Sequence, residues 1–141
     1  MTIDAELITR KLLLMTSDLS RLRQTADAGV EAFLADAVMQ GATERVLERV
    51  IGRMIDVNYH VLTETGEAPP SDYHASFIRL GEIGILDPSF AARIARAAGL
   101  RNRLVHEYQE IDPRKVFEAL LVALKDLPVY LARVKSILSE G

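Results

Sequence analysis

Apolar residues recur along most of the chain at the three- and four-residue spacing of amphipathic helices. The pattern is clearest in three stretches, Ile8 to Leu22, Val46 to Leu62 and Leu120 to Leu138. This spacing places the apolar side chains on one face of a helix, where they can pack against a core. No stretch alternates apolar and polar residues between turn signals, and the sequence therefore predicts helices and no strand.

Turn-forming residues divide this pattern into predicted helices over residues 3–25, 30–65, 71–82, 87–107 and 112–139. The clearest break is the loop 66–70, after which Ser71 is predicted to cap a short helix. Asp87 and Asp112 each precede a proline, as N-cap residues do before a first helical position that tolerates proline. Pro128 lies within the last predicted helix and indicates a kink or a restart there.

The 141 residues, of which 49% are apolar and 26% charged, have the size and composition of one globular domain. We therefore predict a single all-α domain over residues 1–141, an up-and-down bundle of about five helices. The chain has no cysteine, which excludes disulfides, thiol nucleophiles and thiolate metal sites. Its apolar runs are too short to cross a membrane, and Asp4 and Glu6 stand where a secretory signal would be basic. We expect a cytoplasmic protein.

The charge of the chain is unevenly distributed. The net charge of −3 argues against a general electrostatic nucleic-acid binder. The stretch 88–106 nevertheless has no acidic residue and contains four arginines, Arg93, Arg96, Arg101 and Arg103. An acid-free arginine stretch in an acidic protein indicates a local anion-binding surface. The alternative is that these arginines pair with acidic residues of other helices.

The segment around residue 101 contains the side chains that RNA cleavage without a metal requires. His106 could take the proton of a ribose 2′-hydroxyl, because histidine titrates near neutral pH. Arg101 could hold the phosphate, because its planar guanidinium matches two phosphate oxygens. Asn102 lies four residues before His106, on the same helical face, and could orient either group. By spacing alone, a structural role for this arginine and histidine is the more common one.

The spacing within the segment raises a geometric difficulty. Arg101 and His106 are five residues apart, which places them about 140° apart around a regular helix. Either the backbone is irregular there, or each site takes its residues from two chains of a two-fold homodimer. Small residues along the fourth predicted helix predict a close dimer interface; they are Ala91, Ala92, Ala95, Ala97, Ala98 and Gly99.

The segment Arg101-Asn102-Arg103-Leu104-Val105-His106-Glu107-Tyr108 resembles the signature of HepT-like proteins of the HEPN superfamily. In that signature an arginine, followed by asparagine, stands five residues before a histidine, and a tyrosine follows the histidine after one residue. The resemblance covers about residues 3–135, with segments in the family's order at 33–36, 44–56, 66–70, 77–85 and 108–112.

This resemblance implies a homodimeric, metal-independent endoribonuclease that uses no cofactor. Arg101 would stabilise the scissile phosphate, His106 would act as general base or acid, and Asn102 would support their geometry. Arg93, Arg96 and Arg103 could extend the surface that binds the RNA, either tRNA or mRNA.

The resemblance also implies a role and a regulator. The protein would be the toxin of a bacterial toxin–antitoxin pair, leaving products with a 2′,3′-cyclic phosphate or its hydrolysed form. A MntA-like nucleotidyltransferase antitoxin would neutralise it by transferring AMP to Tyr108.

Several alternatives remain open from the sequence. The chain could be a non-catalytic nucleotide- or RNA-binding partner of a nucleotidyltransferase. Asp56 could approach the motif and orient a side chain, or be an ordinary solvated or salt-bridged carboxylate. His60 and His74 have no partners at ligand spacing, so no metal site is predicted.

Overall fold

The computed structural model describes residues 3–106 and 111–140, which form seven α-helices. These are α1 (Ala5–Asp27), α2 (Val30–Leu34), α3 (Ala37–Glu64), α4 (Tyr73–Glu82), α5 (Pro88–Ile94), α6 (Arg96–His106) and α7 (Pro113–Glu140). No strand occurs in the described ranges. The all-α prediction is confirmed.

Two of the five predicted helices are each divided in the structure. The predicted helix 30–65 becomes α2 and α3, because Asp36 caps a new helix by accepting a hydrogen bond from the Met39 backbone N–H at 3.0 Å. The predicted helix 87–107 becomes α5 and α6, with the break at Ala95. The apolar spacing runs through both breaks, so periodicity alone could not reveal them.

Aspartates cap most of the helices whose starts were predicted. Asp72, and not Ser71, caps α4, and its carboxylate accepts a backbone N–H three residues later at 2.7 Å. Asp87 caps α5 as predicted, and the Asp112 carboxylate accepts the N–H two residues later at 2.9 Å. Pro128 lies inside α7, which continues to its end without the restart that the sequence allowed.

The three long helices form the frame of the bundle. Buried side chains from the first two-thirds of α1 pack with those of α3 and of the second half of α7, such as Met15, Met54 and Tyr130. A smaller cluster joins the end of α1 to α2 and to the start of α7, through Leu22 and Phe117 among others. Helix α1 therefore runs antiparallel to α3 and α7.

A charged group is buried between α1 and α3. The Asp18 carboxylate contacts Arg49 at 2.5 Å and Arg53 at 2.8 Å, and its side chain is only 4% exposed. A buried carboxylate needs such partners, because water is not available to solvate its charge. This triad fixes the register of α1 against α3.

Candidate active site

The predicted motif lies on α6, whose backbone is helical from Arg96 through His106. The irregular backbone that would bring Arg101 and His106 together is therefore not found, and the two lie about 140° apart around one helix. Tyr108 falls outside the described residues.

Arg101 faces α3 and α4. Its guanidinium carbon lies 5.4 Å from the centroid of the Tyr73 ring, within the range of a cation–π contact. Its Nε is buried and has no hydrogen-bond partner in the described part of the chain. Gly52 lies next to the arginine: a Cβ at that position would lie 3.5 Å from Nε, an ordinary van der Waals contact.

Arg101 also lines a cavity of about 250 Å³, together with Gly52, Ile55, Asp56, Tyr59 and Tyr73. We call this cavity the Tyr73 pocket. The two tyrosine rings meet edge to face, with centroids 6.1 Å apart and an interplanar angle of 84°. Burial raises the pKa of Tyr59, and the nearby Tyr73 and Asp72 raise it further. The Tyr59 phenol therefore stays neutral at physiological pH.

A chain of buried hydrogen bonds holds the first turn of α4, where Tyr73 lies. The Tyr130 hydroxyl donates to Asn58 Oδ1 at 2.6 Å. Asn58 Nδ2 donates to Ser76 Oγ at 3.0 Å, and the Ser76 hydroxyl in turn donates to the Tyr73 carbonyl at 2.7 Å. Because these three polar side chains are fully buried, the chain anchors the backbone that carries the ring over Arg101.

Asp56 lies in the Tyr73 pocket but is not the partner of the motif arginine. Its Oδ2 lies 3.4 Å from Lys11 Nζ, on the neighbouring α1, and its side chain is 63% exposed. Within residues 3–106 and 111–140 it forms no ion pair with Arg101. The interpretation of Asp56 as a salt-bridged surface carboxylate is thus correct.

His106 and Asn102 lie in the last turns of α6, and both are exposed. Over the two described ranges neither side chain makes a hydrogen bond or ion pair within the chain. His106 lies about 60° around the helix from Arg103 and well away from the Tyr73 pocket. The structure therefore separates the predicted base from the predicted phosphate-binding group within one chain.

The remaining arginines of the acid-free stretch behave differently from one another. Arg93 forms a 3.3 Å ion pair with Asp126 of α7, whose carboxylate is 5% exposed. Pairing with another helix, the alternative considered above, is therefore correct for Arg93. Arg96 and Arg103 are exposed and have no such acidic partner in the described structure.

A second cavity, of about 360 Å³, runs between α3, α6 and α7 and has a largely apolar floor. We call it the α6–α7 groove. Four cationic side chains line it, Arg93, Arg96, Arg103 and Lys115. Asp126, the partner of Arg93, lines it as well. The groove thus combines an apolar surface with positive charges at Arg96, Arg103 and Lys115.

The prediction that the small residues of the fourth predicted helix form a dimer interface is wrong for three of the six. Ala91, Ala95 and Ala98 are buried within the chain itself, so these three cannot form a dimer interface. Their size instead permits close packing between helices, since a Cβ at Gly81 would lie only 2.8 Å from the Ala91 Cβ. Of the six residues, only Ala92, Ala97 and Gly99 keep exposed or partly exposed surface.

The other two histidines lie on α3 and α4. His60 Nε2 accepts a hydrogen bond from the Asp4 backbone N–H at 3.1 Å and so helps to fix the start of α1, while His74 is exposed. A search of the described side chains finds no group of three or more histidines and carboxylates that could hold a metal ion. None of the helices in these ranges is both long and apolar enough to cross a membrane.

Sequence reasoning did not identify Tyr59, Tyr73 or Gly52 as neighbours of the motif. Tyr73 lies 28 residues before Arg101 on another helix, and nothing in the local pattern links the two. The position of Asn58 inside the apolar stripe of α3 was the one available signal, because a buried amide requires polar partners.

Comparison with known proteins identifies the family. The family model described as ribonuclease HepT-like matches residues 15–134. The tRNA nuclease HepT of Aphanizomenon flos-aquae is 36% identical over 136 residues, which cover 96% of this chain and 92% of that protein. The mRNA nuclease HepT of Shewanella oneidensis is 23% identical over 131 residues, which cover 93% of this chain and 98% of that protein.

The fold is also that of a solved HEPN protein. The tri-AMPylated Shewanella oneidensis HEPN toxin, solved in complex with its MNT antitoxin, aligns with a TM-score of 0.84 at 23% identity. The alignment covers 96% of this chain and 99% of that one. With a family model matching most of its length and a relative above one-third identity, the chain belongs to the ribonuclease HepT-like family.

Proposed function

We propose that this protein is the toxin of a bacterial toxin–antitoxin pair and that it cleaves RNA without a metal ion. The observation that carries the proposal is the state of Arg101. Its guanidinium is held against Tyr73 and has no carboxylate partner in the described ranges, although Asp56 lines the same pocket. An arginine that is positioned but not neutralised is suited to bind a phosphate.

The chemistry follows from the two motif side chains. His106 takes the proton of the ribose 2′-hydroxyl, and the 2′-oxygen attacks the adjacent phosphorus. Arg101 stabilises the negative charge that builds on the non-bridging phosphate oxygens. The 5′-oxygen of the next nucleotide leaves and takes a proton from water, and His106 returns its proton to water. The products are a 2′,3′-cyclic phosphate and a 5′-hydroxyl. Asn102 lies one helical turn before His106 on the same face and supports the geometry of the site by contacting the bound phosphate.

The divergence of the two side chains makes the site a property of a homodimer. We infer that Arg101 of one protomer faces His106 of its partner across a two-fold axis, which generates two equivalent sites. Arg103, which lines the α6–α7 groove, lies about 60° around α6 from His106. The apolar floor of the groove offers surface that such an interface would bury.

The substrate and its binding surface follow from the same arrangement. Arg96 and Arg103 extend the positive surface beyond the cleavage site, whereas the charge of Arg93 is already shared with Asp126. The more similar of the two relatives is a tRNA nuclease, so tRNA is our first candidate substrate. We place the reaction in the cytoplasm, where that substrate is found.

Control by an antitoxin completes the proposal. A HEPN toxin with this fold has been solved tri-AMPylated and in complex with an MNT antitoxin. In this chain Tyr108 is the motif tyrosine, and we propose that a MntA-like nucleotidyltransferase adds AMP to its hydroxyl. Each adenylyl group brings roughly one negative charge close to an arginine site built for RNA phosphate. The modification would therefore compete directly with the substrate.

The test is cleavage of tRNA by the purified protein in the presence of EDTA. We expect full activity and fragments ending in a 2′,3′-cyclic phosphate. Arg101→Ala and His106→Ala should each remain folded and lose at least about 10²-fold in rate, the lower end of a general base's usual contribution. Activity that disappears in EDTA and returns with a metal would refute the mechanism. Tight RNA binding without cleavage would point to the non-catalytic alternative.

A further inference from the structure

The Tyr73 pocket opens beside the arginine that we assign to the scissile phosphate, and the mechanism above leaves it empty. Its volume of about 250 Å³ lies just below the roughly 300–1,000 Å³ of pockets that hold drug-sized ligands. A pocket of this size fits a single planar ring system and not a whole nucleotide.

The walls of the pocket suit a flat heteroaromatic ring. Tyr59 and Tyr73 supply two aromatic surfaces at nearly a right angle, and Ile55 contributes apolar surface from α3. The Arg101 guanidinium forms a further planar wall. Proteins that bind single-stranded RNA stack its bases on aromatic rings and on guanidinium planes of this kind.

Asp56 gives the pocket a chemical preference. Its Oδ2 contacts Lys11, whereas Oδ1 has no partner in the described parts of the chain. An ionised carboxylate only accepts hydrogen bonds, so it favours a base edge that offers N–H donors. Cytosine, adenine and guanine carry an exocyclic amino group, whereas uracil has one N–H between two carbonyl oxygens that would face the carboxylate unfavourably.

We propose that the Tyr73 pocket binds a nucleobase next to the scissile phosphate and that Asp56 selects bases with an exocyclic amino group over uracil. The proposal rests on the proposed function, because it takes Arg101 as the phosphate-binding group. Asp56 is then a specificity-determining residue on a helix that lies outside the motif.

The test uses DNA oligonucleotides that contain a single ribonucleotide, so that only one phosphodiester has an adjacent 2′-hydroxyl. One pair of oligonucleotides carries either cytosine or uracil at the ribonucleotide. A second pair carries either deoxycytidine or deoxyuridine at the next position, and all other bases are unchanged. We expect cytosine to be preferred at one of the two positions by roughly 2- to 12-fold in cleavage rate, the range that a single hydrogen bond gives.

Asp56→Asn should reduce this cytosine-to-uracil ratio to near one, because an amide can donate to the uracil oxygen. The matched control is Glu31→Gln, which makes the same change of charge on α2, at a residue that lines neither cavity; it should keep the parental ratio. Equal rates for the two bases at both positions, or a preference that persists in Asp56→Asn, would overturn the proposal.

A binding measurement separates this proposal from the proposed function. All-deoxy oligonucleotides with a 5′ fluorophore cannot be cleaved through a 2′-hydroxyl, and their anisotropy with the parent protein reports affinity alone. Tighter binding of the cytosine oligonucleotide than of the uracil oligonucleotide, lost in Asp56→Asn, supports base binding in the Tyr73 pocket. If the protein binds in this way but cuts no RNA, the nuclease proposal fails and base binding by the pocket stands. Equal affinities and equal cleavage rates refute the pocket while the nuclease proposal stands.

Discussion

A mixed dimer tests whether each active site draws on two chains. Helix α6 is regular between the two motif residues, so their Cα atoms are about 9 Å apart and their side chains diverge by about 140°. One protomer with Arg101→Ala is paired with another that carries His106→Ala. If the sites are composite, one site of this dimer combines the intact arginine of the His106→Ala chain with the intact histidine of the Arg101→Ala chain. The other site lacks both groups.

The size of the effect follows from this count. One intact site of two predicts about half of the parental cleavage rate for a pure mixed dimer, whereas each single-variant homodimer should fall by at least about 10²-fold. The control pairs a wild-type chain with one that carries both substitutions. In that dimer each site contains one intact and one missing group, so it should be as inactive as the single-variant homodimers.

Both mixed dimers can be purified through two different affinity tags and assayed on the same substrate under single-turnover conditions. Sites contained within one chain would give the opposite pattern, with an inactive first dimer and a half-active control. That result would refute the composite site. A protein that sediments as a monomer at micromolar concentration would refute it as well.

Four further expectations follow from the fold and the site. Tyr73→Leu should slow cleavage about two- to fivefold, because an exposed cation–π contact contributes roughly 0.5–1 kcal/mol. Tyr73→Phe keeps the ring and should retain the parental rate. Equal losses in both variants would rule out the ring as the cause. Asp18→Asn should lower the free energy of unfolding in urea by about 2–3 kcal/mol. The loss is smaller than for a fully buried pair because the two arginine partners are 33% and 22% exposed. An unchanged midpoint of urea unfolding would contradict this. Gly81→Ala should destabilise the protein by about 1–2 kcal/mol through overpacking. Gly41→Ala, with nothing within 4 Å of an added Cβ, should stabilise it by about 0.5–1 kcal/mol. Thermal unfolding that ranks the two variants the other way would refute this packing. Tyr108→Phe should remain active after incubation with a nucleotidyltransferase antitoxin, ATP and Mg²⁺. Mass spectrometry should find whole AMP units on the peptide that contains residue 108 in the parent protein only. Neutralisation of the variant would mean that the antitoxin acts by binding.

The extent of the helices was predictable because burial on one face imposes a period. The apolar stripes predicted α1, α7 and the end of α3 to within two residues. The break before α3 was not predicted, because the capping role of Asp36 depends on the local backbone and leaves the stripe uninterrupted. The same holds at Ala95, a small buried residue that fits both a continuous helix and a junction.

The site was predictable only where its residues are adjacent in sequence. Arg101, Asn102 and His106 form a local motif, and its spacing was enough to raise the question of a second chain. Tyr73 and Gly52 act on the arginine through packing between helices, which no local pattern records. The small residues of α5 and α6 were misassigned in part for a related reason: close approach was correctly expected, but three of them face helices of the same chain.

The regular backbone of α6 also has a consequence for how the protein behaves at low abundance. If each site takes its arginine and its histidine from two chains, as we propose, a single chain is inactive and becomes a nuclease only on meeting a second copy. At concentrations below the dimer dissociation constant, the cutting rate therefore rises with the square of the amount of protein. Under the proposed composite site, we expect a cell that makes a few copies by leaky expression to be spared, and a modest excess of free toxin over antitoxin to cause rapid RNA loss.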